Sequence, residues 1–160
     1  MANETATLLG IEPTVDLDLS ITVATPGMWT DRIATEVEHV LLARTATQLV
    51  FWTGEEIDDA AIRRTATTQT VRATCQPPTT VWDAVRQEGL AGALADPSTG
   101  RLDEAVADAL DIVGDDTGVG SMAALLYGDE AATAMGWTPL GLGPDAGLQH
   151  AIALARRPTS

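Results

Sequence analysis

Two histidines and one cysteine are the side chains of this chain best suited to proton transfer or nucleophilic attack: His39, His150 and Cys75. His39 stands three residues after Glu36 on the polar side of a helical pattern, where a solvated i,i+3 contact accounts for it. His150 falls inside the last helical stretch between Leu148 and Ala151, the setting of a partly buried or interface histidine. Cys75 follows a threonine-rich run and precedes Pro77-Pro78. A nucleophilic thiol needs a neighbouring histidine or a helix N-terminus to lower its pKa, and the local sequence offers neither. Cys75 therefore reads as a small structural thiol. A lone cysteine also excludes an intrachain disulfide and any multi-cysteine metal site. These residues nominate no catalytic group and no cofactor.

Carboxylates are the other source of chemistry. Asp108, Asp111, Asp115 and Asp116 cluster near Gly114, and Asp111, Asp115 and Asp116 are the weak candidates for a cation site. A calcium loop needs oxygen ligands at alternating positions, and Ile112 and Val113 occupy places where ligands should be. A solvated acidic face is the plainer reading. Gly118-Val119-Gly120-Ser121 precedes a helical pattern and could seat an anion on a helix N-terminus. A phosphate loop would also want a basic residue, and Asp115-Asp116 repel phosphate. Glu55-Glu56 or the Asp108–Asp116 cluster could serve a carboxylate-based enzyme, the third-ranked reading.

Aromatic residues say more about contacts. Trp29 and Trp82 begin helical patterns at core-facing positions, and Trp52 lies in an apolar run, so all three serve as packing anchors. Trp137 shares a Gly/Pro-rich loop with Leu140 and Leu142. Such a loop either folds back to close the core or docks on another chain, and Trp137, Leu140 and Leu142 are the expected interaction residues.

Electrostatics narrows the choice of partner. The 160 residues carry 23 acidic and nine basic side chains, a formal charge of −14, and every basic residue is arginine. Arg63-Arg64 and Arg156-Arg157 are isolated pairs in an acidic field, which disfavours direct binding to nucleic acid or to an anionic membrane. A GC-rich genome and a high-salt cytoplasm both replace lysine with arginine; the surplus of carboxylates favours the halophilic source. No run approaches the roughly 18 apolar residues of a membrane span, and Met1-Ala2-Asn3-Glu4 lacks the basic start of a signal peptide. The expected location is the cytoplasm or a virion.

The elements that would position these residues fall into two halves. Residues 1–14 read as a mobile N-terminal arm, and 15–160 as a single domain. Val15 to Val23 alternates apolar and polar positions, the pattern of a half-buried strand. Apolar residues at helical spacing from Trp29 to Leu41 predict a helix over about 27–43. Gln48 to Thr53 predicts a buried strand, 55–64 a short helix, and Thr65 to Cys75 a threonine-rich edge strand.

Beyond residue 78 the pattern turns helical. Thr80 and Asp83 form a capping-box signature before Val81, Trp82 and Val85, in a helix that Gly89 and Gly92 weaken. Leu102, Val106, Ala109, Leu110 and Val113 line one helical face. Gly114 to Gly120 reads as a flexible acidic loop. Ser121 to Met135 is helical with a break at Gly128-Asp129, and Asp145 is placed to cap a last helix ending near Arg156.

These readings combine into an α+β fold: a small mixed or antiparallel sheet of about three strands packed on helices, then a mostly helical C-terminal half. The function expected first is a non-enzymatic structural or assembly subunit of an oligomeric particle, such as a virion head, neck or tail component, associating with other protein subunits and with itself. A small monomeric binding or regulatory domain acting through a protein partner is the alternative. The charge generates one direct test. Unscreened carboxylate repulsion should destabilise the fold at low ionic strength, so thermal melts should shift upward as salt is raised towards molar. A melting temperature flat across that range would contradict a halophilic adaptation.

Overall fold

The structure is a computed structural model, and it describes residues 59–157. The N-terminal arm at 1–14, the strands expected at 15–23 and 48–53 and the helix expected at 27–43 lie outside the described residues, as do Glu55 and Glu56. Six helices form the described part: α1 (Asp59–Thr74), α2 (Val81–Ala95), α3 (Glu104–Val113), α4 (Val119–Tyr127), α5 (Asp129–Ala134) and α6 (Ala146–Ala155). None of these is long and apolar enough to cross a membrane.

The expectation of an α+β fold is corrected here, because the described residues are all helical and contain no strand. The one expected strand that falls among them, Thr65 to Cys75, is the second half of α1, which does not stop near Arg64. Threonine favours strands because its branched β-carbon restricts rotamers in a helix. Here tertiary contacts override that preference. Ala66, Thr70 and Val71 bury one helical face. The threonine hydroxyls also donate back along the helix, Thr70 Oγ1 to the Ala66 carbonyl at 2.8 Å and Thr74 Oγ1 to the Val71 carbonyl at 2.9 Å. Arg72 then reaches across to α2, where its guanidinium makes a two-pronged pair with Glu88: Nε to Oε1 at 2.9 Å and Nη2 to Oε2 at 2.7 Å. Both side chains are buried, so α1 and α2 are held in one register by a pair that neither could leave without stranding a charge.

Helix α2 begins where the sequence places it. Thr80 Oγ1 accepts from the Asp83 N–H at 3.1 Å, and the Asp83 carboxylate accepts from the N–H groups of Thr79 and Thr80 at 3.2 Å. Two further donors of the first turn, the N–H groups of Val81 and Trp82, are satisfied by the carbonyls of Asp116 and Gly114. The loop expected to be flexible is thus tied to α2, and the Trp82 ring covers Gly114 so closely that a methyl there would collide with it.

Helix α6 packs against both α2 and α4. The glycines that weaken α2 as an isolated helix are what let it approach: a β-carbon at Gly89 would strike the Ala151 carbonyl, and one at Gly92 the Ile152 side chain. Gly147 lies equally tight against the Leu125 carbonyl of α4. Val81, Val85, Val106, Leu110, Leu125 and Leu126 fill the space between these helices. The break between α4 and α5 is set by Gly128, with φ of 85°, a conformation that favours glycine. Asp145 stands at the N-cap of α6 in a left-handed conformation, φ 55°, and its side chain makes no capping bond, unlike the expectation.

The close crossing of α4 and α6 yields a paired test. Gly147→Ala forces backbone atoms apart and should cost about 1–3 kcal/mol or more. Gly143→Ala meets nothing within 4 Å and should stay within about 0.5 kcal/mol. Urea midpoints report both, and equal midpoints would contradict the crossing.

Candidate functional site: a groove between two helices

Helices α3 and α6 diverge more than they pack, and an open groove of about 520 Å³ lies between them. One wall is a face of α3, with Glu104, Ala107 and Asp111 at helical spacing. The facing wall is the His150, Leu154 and Arg157 side of α6, and Trp82 and Leu102 supply apolar floor. Trp82 and Leu154 also line a smaller adjoining hollow of about 150 Å³, so the apolar surface continues beyond the main groove.

The strand of chain leading into α3 is stitched to α6. The Gly100 N–H donates to Gln149 Oε1 at 3.0 Å, the Arg101 N–H to the Gln149 carbonyl at 3.0 Å, and the Asp103 N–H to His150 Nδ1 at 3.0 Å. Asp103 is also the N-cap of α3, its carboxylate accepting from the Ala105 N–H at 3.0 Å. The junction fixes both walls of the groove.

It also fixes the histidine. A ring nitrogen that accepts a backbone N–H carries no proton, so neutral His150 bears its proton on Nε2. The residue is 5% exposed, and Nε2 has no hydrogen-bond partner among the described residues, nor is it sealed from solvent. Burial holds the imidazole below its ordinary pKa, the nearby Arg157 charge adding to this, while the Asp103 carboxylate pulls the other way. A ring fixed in this state offers a hydrogen-bond donor to the groove. It is not a general base, because removing its remaining proton would make an imidazolate.

The carboxylates flagged from sequence take separate positions. Asp111 belongs to the groove wall, and Asp115 is exposed on the following loop. Asp116 braces the turn before α4: it accepts from the Ser121 hydroxyl and from the Gly118 N–H at 2.8 Å, bonds that hold its carboxyl below the usual range, the Ser121 bond most. Gly118, the N-cap of α4, provides no side-chain cap. Among the described residues no three His, Cys, Asp or Glu side chains converge as metal ligands.

The apolar loop folds back on its own chain. Asp129 gathers the N–H groups of Leu140, Gly141 and Leu142 at 2.9–3.1 Å, and its own N–H donates to the Leu142 carbonyl. Leu142 is buried; Trp137 and Leu140 are half-buried against the core, the Trp137 ring lying on Gly120. Cys75, at the end of α1, is half-buried, and His39 lies outside the described residues.

Sequence reasoning did not find the groove. Its signal is two sets of residues at 3–4 spacing, Glu104–Ala107–Asp111 on the exposed face of α3, and His150–Leu154–Arg157 running from the buried edge of α6 past its C-terminus. Scanned against protein families, curated proteins and solved structures, the chain finds no match.

The neutral state of His150 has a pH signature. The fold binds fewer protons here than the unfolded chain, whose histidine titrates near 6.5, so stability rises with pH. The contribution is complete above about pH 6.5 and is lost as pH falls from there towards the lower folded value. Denaturation midpoints should fall between about pH 7.5 and pH 5, and His150→Asn, whose Oδ1 can replace Nδ1 as acceptor, should flatten that fall. An unchanged slope in the variant would place the titration elsewhere.

Proposed function

We propose that this chain is a non-enzymatic protein-interaction module of an assembly, holding a segment of a partner protein in the groove between α3 and α6. The observation that carries this reading is the open groove at His150: a largely buried ring held as a donor, whose Nε2–H has no partner among the described residues and stays open to solvent beside the apolar surface of Trp82 and Leu154. A donor at the edge of apolar surface suits a ligand that brings an acceptor together with apolar groups.

Catalysis finds less support. The ring is in the wrong tautomer for a base, the Asp108–Asp116 carboxylates are exposed, and Asp116 is engaged by the Gly118 N–H and the Ser121 hydroxyl. Acidity argues against nucleic acid and anionic membranes as the partner. Self-association remains the second reading, favoured by the half-buried Trp137 and Leu140 at the surface of the folded-back loop. Light scattering separates the two: a micromolar monomer supports the hetero-partner.

Selection of peptides from a random display library tests the groove itself. Ala107 is exposed in the wall of the groove, and Ala134 is exposed on α5, which contributes no wall to it. Enriched peptides should lose binding to Ala107→Arg, which fills the groove, and keep it with Ala134→Arg. Equal binding to both variants, or no enrichment, would contradict the reading.

A further inference from the structure

We propose that the occupant of the groove is a basic amphipathic helix of a partner protein, an inference that rests on the interaction reading above. Three independent features of the groove point to it.

The first is shape. Both walls are helix faces with 3–4 spacing, and from Glu104 to Asp111 the α3 wall runs seven residues, about 10 Å or two helical turns. Ala107, the small residue in the middle of that wall, leaves room for a side chain reaching the floor between Trp82 and Leu154. The described part of the chain has no strand edge to which an extended peptide could add, and a groove walled by two helix faces is the setting of the helix-in-groove mode.

Charge is the second. Asp103, Glu104 and Asp111 line the groove with one cation, Arg157, while Arg86 belongs to the adjoining hollow and neutral His150 adds nothing. Asp103 is already engaged by Arg101 at 3.7 Å. Glu104 and Asp111 have no ion-pair partner among the described residues and are exposed on the rim, free to meet lysine or arginine from a ligand. A second copy of this chain, at −14, would bring the wrong sign. The Trp82 indole on the floor adds a face that suits a guanidinium or an apolar anchor equally.

The third is the donor at the base. A ligand that covers His150 displaces the solvent that reaches its Nε2–H, so a carboxamide or hydroxyl oxygen on or beside the ligand's apolar face would replace that partner. Apolar anchors with one such acceptor, flanked by lysine or arginine on the side that faces α3, describe the segment.

Fluorescence anisotropy with three designed helical peptides tests this on the full chain. All three share one stripe of leucines with a single glutamine; their flanks carry lysine and arginine, glutamine only, or glutamate. The basic peptide should bind tightest, the neutral one about tenfold more weakly, and the acidic one not measurably, at about 0.1 M salt where the screening length is about 10 Å. Glu104→Gln with Asp111→Asn should weaken the basic peptide about tenfold and leave the neutral one unchanged. Ala107→Arg should abolish both. If neutral or acidic peptides bind as tightly as the basic one and Ala107→Arg still abolishes binding, the groove stands and the charge assignment is overturned. If the basic peptide binds Ala107→Arg undiminished, the attraction is diffuse surface charge and the proposal fails. Should none of the three bind, the helix-in-groove inference is overturned, and the library selection decides separately whether the groove is used at all.

Discussion

The bond from the Asp103 N–H to His150 Nδ1 is the constraint on which the rest of the site depends. On one side it holds the N-cap of α3, and on the other a buried ring of α6. Together with the two bonds from Gly100 and Arg101 to Gln149, it sets how far apart the two helices stand at their junction. The same bond selects the imidazole tautomer, because only an unprotonated Nδ1 can accept it. One donor–acceptor pair thus links the position of the groove walls to the chemistry of the ring. Protonating the ring would set two N–H groups against each other and loosen both.

The helices behind the groove supply the rigidity this arrangement needs. Helix α6 is held against α2 and α4 at glycine contacts where backbone meets backbone, so its His150–Leu154–Arg157 face has little freedom to rotate. Helix α2 is fixed in turn by the buried Arg72–Glu88 pair to α1 and by the loop carbonyls that cap its first turn. A buried ion pair adds little net stability over an apolar pair of the same shape, whereas losing one partner generally costs about 3–5 kcal/mol. Any register of α1 on α2 that separates the pair would therefore carry that cost. Trp82 belongs to both systems. It packs on the core, covers Gly114 and forms part of the groove floor.

Local signals in the sequence carried through where the answer is local. The Thr80–Asp83 capping box, the apolar face of Val106, Ala109, Leu110 and Val113, and the break at Gly128 all appear as read, since each depends on neighbours within a turn or two. Leu102, expected on that face, instead precedes α3 and is exposed. Thr65 to Cys75 was misread because β-branched content favours a strand, and the reward for a helix comes from Glu88, 16 residues beyond Arg72. Gly89 and Gly92 lower helix propensity, and only the presence of α6 explains them. The site was legible in fragments. His150 was recognisable as a buried histidine and Asp111 as a carboxylate in an acidic stretch, but the groove joins residues 82, 104–111 and 150–157. No local pattern announces that juxtaposition. The loop holding Trp137, Leu140 and Leu142 admitted two readings from sequence, and the three N–H groups gathered by Asp129 show how it comes to lie on its own core.

The tautomer of His150 is open to direct observation. With ¹⁵N-labelled histidine, long-range nitrogen–proton correlation spectra distinguish a protonated ring nitrogen from a bare one. The account predicts, at neutral pH, one histidine with a bare Nδ1 and a protonated Nε2, resisting protonation as the pH falls through 6.5, and moving at Nε2 when a groove ligand binds. A ring protonated at Nδ1, or one already carrying both protons at neutral pH, would contradict it.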